Sequence, residues 1–166
     1  TCRRDWNSDG RIGNVDLERA TFALTPKVIG CASRSRIGAG WMDYKNADAL
    51  VETDWLADRL NDTGMRIVDA TWYLPDVNRS GRDEHANRHI PGAVYWDLDE
   101  IADLADSIPH MLPDAATFAG HMARLGIGDG MKVVVYDGVG SMTAPRVWWM
   151  LRIFGHDDVA VLNGEV

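Results

Sequence analysis

The sequence predicts an α/β domain, a mostly parallel central sheet with helices on both faces, preceded by a poorly structured amino-terminal tail. Three observations predict it. From Ala49 onward, short apolar runs alternate with segments of helical period, the pattern of strands joined by crossover helices. Residues 131–136, Met-Lys-Val-Val-Val-Tyr, form a continuous β-branched run that suits a strand buried on both faces, and so a central one. Residues 1–47 are instead dominated by Arg, Gly, Ser, Asn and Asp, with weak periodicity outside 15–24. A tail or partial module, native or not, is therefore expected at 1–47 and the domain at 48–166.

Within the domain, Thr53 is placed to cap a helix whose Leu56 and Leu60 share a face. Residues 65–72 read as a strand, and 74–88 as a loop. The turn His89-Ile-Pro-Gly92 feeds a short strand at 93–96, because Pro91 cannot donate to a ladder and Gly92 accepts unusual backbone angles. The acidic stretch of Asp97, Asp99, Glu100, Asp103 and Asp106 reads as a solvated short helix. Asp114 caps a helix carrying Phe118, Met122 and Leu125 on one face, stopped by Gly126. After the central strand and a loop at 137–141, Pro145 stands where a first helical turn tolerates it, and 147–154 make a bulky helix stopped by Gly155. Residues 159–162 are the last strand. No internal repeat is visible.

The chain has 166 residues, 46% of them hydrophobic, enough for one domain with a real core. Its formal charge of -8 argues against a nucleic-acid partner or an anionic membrane surface, which are held mainly by Lys and Arg. No apolar run approaches the ~20 residues of a membrane span, and the start Thr-Cys-Arg-Arg-Asp is unlike a signal peptide, so a cytoplasmic location is expected. The only cysteines, Cys2 and Cys31, form no disulfide framework and read as free tail thiols.

In open parallel sheets, ligands bind at the carboxyl ends of strands, where a loop enters a helix whose free N–H groups attract anions. Here that place is the loop Asp137-Gly-Val-Gly-Ser-Met-Thr143. A dinucleotide fingerprint counted from Gly138 and Gly140 requires a third glycine where Thr143 stands. A cysteine opening the loop would have its thiolate stabilised by the helix terminus, but Asp137 occupies that position. A carboxylate can cap the helix; it cannot serve as a thiolate nucleophile.

The segment 136–156, Tyr-Asp-Gly-Val-Gly-Ser-Met-Thr-Ala-Pro-Arg-Val-Trp-Trp-Met-Leu-Arg-Ile-Phe-Gly-His, resembles the non-catalytic first domain of the rhodaneses and mercaptopyruvate sulfurtransferases. Val-Asp-Ala-Thr-Trp-Tyr-Leu-Pro at 68–75, His-Ile-Pro-Gly-Ala at 89–93, Asp-Leu-Asp at 97–99, Pro-His-Met-Leu-Pro at 109–113 and Val-Leu-Asn-Gly at 161–164 follow in the family's order. The resemblance implies two facing rhodanese-like domains, with the catalytic cysteine on the second. The chain would then be the amino-terminal half of an enzyme moving sulfane sulfur from 3-mercaptopyruvate or thiosulfate to a thiol or cyanide acceptor through a cysteine persulfide, inactive alone and requiring no cofactor. The alternative is a catalytically inactive rhodanese-like binding or regulatory module.

By the same resemblance, Trp72, Met142 and Thr143 line the apolar pocket beside the persulfide, although Trp72 reads equally well as core. Asp99 and His110 match an aspartate and histidine proposed to form a triad with a serine of the catalytic loop. A carboxylate that orients an imidazole allows it to relay a proton to or from a pyruvate enolate. Thiosulfate-type rhodaneses generally lack that histidine, which favours mercaptopyruvate as donor. The alternative is that His110 merely anchors a turn. Arg146 reads as a structural ion-pair or interdomain residue, and Arg79 is given no substrate role. Where the family continues Asn-Gly-Gly, this chain has Asn163-Gly-Glu-Val166, and a truncation there is expected.

In the tail, Asp5-x-Asn7-x-Asp9-Gly10-x-Ile12 with Asp16 resembles an EF-hand loop of the dockerin variety, with Asp5, Asn7, Asp9 and Asp16 as candidate calcium ligands. His85 and His89 are four apart but have no third ligand nearby, so zinc is not expected.

Overall fold

The computed structural model describes residues 46–164. The candidate calcium loop, Cys2 and Cys31 lie outside the described residues. Five strands, β1 (Leu50–Glu52), β2 (Met65–Asp69), β3 (Val94–Tyr95), β4 (Lys132–Tyr136) and β5 (Val159–Asn163), form one sheet in the order β1-β5-β4-β2-β3. Every neighbouring pair is parallel. The connections carry helices α1 (Thr53–Ala57), α2 (Gly81–Asn87), α3 (Ala115–Leu125) and α4 (Ala144–Ile153).

β4 is central, as its β-branched run predicts, and its residues alternate between two cores. Val133 and Val135 join Phe118 and Met122 of α3 and Val147, Met150 and Leu151 of α4. Val134 and Tyr136 point the other way, to Leu56 of α1, Ile67 and Leu162. A period of two on a strand covered on both faces requires apolar side chains at every position.

Several elements depart from expectation. β1 is a three-residue edge strand, too short to show a period. Thr53 lies inside α1, whose cap position is Glu52, so it is not the cap. Leu60 falls beyond the end of α1 but still packs on the second core. β2 ends at Asp69 and not at Trp72, because the Asp69 carboxylate accepts the Thr71 N–H at 3.0 Å and turns the chain out of the sheet. The segment 74–88 contains α2, seven residues with no apolar stripe, capped by the Ser80 hydroxyl on the Asp83 N–H. The acidic stretch 97–106 is a series of turns. Asp97, Asp103 and Asp106 each accept an N–H two residues on, a local bond that competes with helix formation.

Candidate functional site

Loop 137–143 leaves the end of β4 and enters α4. It is organised by one carboxylate. Asp137 Oδ1 accepts the N–H groups of Val139 at 3.1 Å and Ser141 at 2.8 Å, and Oδ2 those of Thr143 at 2.8 Å and Ala144 at 2.7 Å. Gly140 and Ser141 adopt positive φ, 76° and 60°, which turns successive N–H groups inward. Asp137 is 4% exposed. The loop therefore has the form of an anion cradle, and its own carboxylate fills it.

Beneath the loop lies a second polar network. Gly138 N–H donates to Thr71 Oγ1 at 2.9 Å, and the Thr71 hydroxyl donates to Asp69 Oδ1 at 2.6 Å. Asp69 Oδ2 accepts the Tyr136 hydroxyl at 3.1 Å and faces His85 Nδ1 at 3.0 Å. Burial, reinforced by the Asp69 charge, pushes the Tyr136 phenol well above its ordinary range, so it remains a donor. Asp69 is 3% exposed and is satisfied by these partners. Apart from the motif around residue 69, no sequence pattern marks this network. A carboxylate closing an apolar strand, with threonine two residues on, was the available signal.

Beside the loop, Asp99 stands between two donors. The Trp72 indole N–H donates to Oδ2 at 3.0 Å, and His110 Nε2 lies 2.8 Å from Oδ1. The Trp72 and His110 rings meet edge to face, with centroids 5.0 Å apart. Trp72 is also packed against the main core, so its ring serves packing and its nitrogen serves Asp99. His110 has φ 60° and its carbonyl accepts from Arg146 Nη2 of α4. The hydrogen-bond partner of Arg146 is thus a backbone carbonyl, where the sequence suggested a structural ion-pair or interdomain residue, and its guanidinium also lies 4.9 Å from the Trp149 ring centroid.

The remaining candidates separate. Met142 is 53% exposed, whereas Thr143 is buried with its hydroxyl donating to the Ala70 carbonyl at 2.6 Å. Arg79 is occupied by both oxygens of Glu84. His85 and His89 stack at 4.2 Å, and no group of three or more metal-binding side chains occurs among the described residues. No helix among them is long and apolar enough to cross a membrane.

Residues 52–166 match the rhodanese-like domain family. The chain is 43% identical over 130 residues to the mitochondrial thiosulfate/3-mercaptopyruvate sulfurtransferase 1 of Arabidopsis thaliana, covering 78% of this chain and 34% of that protein. It is 48% identical over 122 residues to the thiosulfate sulfurtransferase of Bos taurus, covering 70% and 41%. Against the crystal structure of a 3-mercaptopyruvate sulfotransferase from Escherichia coli, the TM-score is 0.68 at 40% identity, over 71% of this chain and 45% of that one. The chain thus spans less than half the length of these relatives. Parallel sheet, carboxyl-end loop and the matched span of sequence agree, and the chain belongs to the rhodanese-like domain family.

Proposed function

We propose that this chain is the first of two rhodanese-like domains in a sulfurtransferase, and that it forms one wall of a cleft whose nucleophilic cysteine belongs to the other domain. The observation that carries this reading is Asp137. At the position where a cysteine thiolate would gain from the loop N–H groups, a buried carboxylate takes four of them, and the described residues contain no cysteine. The domain supplies shape and an acid–base pair, and the sulfur itself is carried elsewhere.

In the proposed reaction the thiolate attacks the sulfur of 3-mercaptopyruvate, the carbon–sulfur bond breaks, and pyruvate leaves as an enolate that must take up a proton. With thiosulfate a sulfur–sulfur bond breaks and sulfite leaves without that need. The His110–Asp99 pair suits the first case, since an imidazole held by a carboxylate can take up the proton left on the new persulfide sulfur and pass it to the enolate. Met142, exposed at the loop tip, and the Trp72 ring supply apolar wall. Thr143 contributes through the loop backbone, its hydroxyl being engaged inward. Exposed Met142 and Trp149 belong to the face that meets the second domain. A thiol or cyanide acceptor and a cytoplasmic location complete the proposal.

The test is the protein carrying this chain at its natural length. With mercaptopyruvate, mass spectrometry should find the persulfide on a cysteine outside residues 1–166, and His110→Ala should lower pyruvate release by about a hundredfold, the usual scale of a lost acid–base group. A persulfide on Cys2 or Cys31, or unchanged turnover in His110→Ala, contradicts the reading.

A further inference from the structure

We infer that Arg146 and Trp72 are positioning residues that hold His110 in one tautomer, with Nδ1 as its proton-accepting nitrogen. The inference rests on the acid–base reading of His110 and Asp99 given above. It begins with the carboxylate. An ionised Asp99 only accepts, so the His110 nitrogen 2.8 Å from it, Nε2, carries the hydrogen. Nδ1 is left with the lone pair. This reverses the serine-protease arrangement, in which Nδ1 faces the carboxylate and Nε2 does the work.

The reversal has a geometric consequence. Nδ1 is bonded to Cγ, close to the main chain, so its place follows the backbone and χ1 of residue 110 more than the tip of the ring. That backbone is left-handed, φ 60°, a conformation that a residue other than glycine keeps only when its surroundings over-determine it. Here the constraint is visible: Arg146, in the first turn of α4, donates from Nη2 to the His110 carbonyl. The guanidinium is held in turn by the Trp149 ring, 4.9 Å away, and its Nε is buried without a hydrogen-bond partner. A side chain held with a donor unsatisfied is inserted under the segment and is not a solvated surface cation.

Trp72 completes the device from the other side. Its indole N–H takes Asp99 Oδ2 at 3.0 Å, which leaves Oδ1 for Nε2, while its ring meets the imidazole edge to face. Asp99 has a 65% exposed side chain, where a lone ion pair orders little. The second donor fixes the carboxylate's plane. Neither Arg146 nor Trp72 needs to touch a reacting atom for this role.

The test is nitrogen-15 imidazole NMR of the 166-residue chain, with the His110 signals assigned by their loss in His110→Ala. The wild-type ring, when neutral, should show a single Nε2–H tautomer; a dominant Nδ1–H form overturns the inference without any variant. Arg146→Met should convert that signal to a tautomer mixture, and Arg146→Lys, which restores a donor to the carbonyl, should recover it. Trp72→Phe keeps a ring against His110 and removes the N–H, so it too should yield the mixture, which keeps the test decisive if Arg146→Met does not fold. Spectra unchanged in the folded variants overturn the inference. In the longer protein, Arg146→Met should lower kcat for mercaptopyruvate by about tenfold with KM nearly constant, and Arg146→Lys should rescue it. If the tautomer shifts as expected while kcat does not, the positioning role stands and the acid–base role of His110 fails.

Discussion

At the scale of single residues, Asp137 decides what the loop can do. Its carboxylate satisfies four backbone N–H groups, and removing it takes the acceptor from all four at once. Asp137→Ala should therefore destabilise the domain by about 3 kcal/mol, the upper part of the usual single-residue range, measured by urea unfolding. A loss below about 1 kcal/mol would show that the loop is held by other contacts. The position of Asp137 was legible in the sequence, because it follows an unmistakable central strand. The four bonds were not, since they depend on positive φ at Gly140 and Ser141, and Ser141 gives no sequence signal for it. The bond from Arg146 to His110 was illegible for another reason. It joins a helix to a turn 36 residues away, and no local pattern encodes such a meeting.

At the scale of elements, caps and close approaches explain which segments were readable. α3 matches expectation almost to the residue, because Asp114 takes the N–H groups of Ala116 and Thr117 and Gly126 ends the helix at φ 68°. Asp114→Ala should lower the urea midpoint, because the N–H groups of Ala116 and Thr117 lose their cap, and an unchanged midpoint would show that the cap is dispensable. α2 escaped a reading based on hydrophobic period because its sequence Gly-Arg-Asp-Glu-His-Ala-Asn has no apolar face. Its start signal, Ser80 three residues before Asp83, was nonetheless present. What holds α2 down is the absence of a side chain. A Cβ on Gly81 would lie 2.0 Å from the Thr71 carbonyl oxygen and 2.9 Å from the Tyr95 hydroxyl. Gly81→Ala, neutral or helpful in an open helix, should here lower stability by about 2 kcal/mol or more and disturb the Asp69–His85 pair. A stabilised variant would mean that α2 can lift away from the sheet without loss.

At the scale of the whole molecule, the fold class and the central place of β4 follow from alternation and burial, while the pH response follows from buried histidine. Burial holds the His156 imidazole below its ordinary 6.5, and partial burial together with the Arg124 charge lowers His121 in the same sense. For a group depressed on folding, the unfolded chain binds more protons between the two pKa values, so stability rises with pH across that window. It is fully present above 6.5 and is lost as pH falls from there toward the folded value. Urea midpoints should therefore drop between pH 7.5 and 5, with a slope from His156 of at most about 1.4 kcal/mol per pH unit, and His156→Asn should flatten the profile. A flat wild-type profile would contradict this. The central claim concerns the division of labour: the domain shapes a cleft whose nucleophile it does not carry. The most direct measurement is sulfur transfer by the purified 166-residue chain, followed as pyruvate from mercaptopyruvate and thiocyanate from thiosulfate and cyanide. The account predicts no product above the uncatalysed background from either donor. Sustained turnover by this chain, free of any other sulfurtransferase, would contradict it.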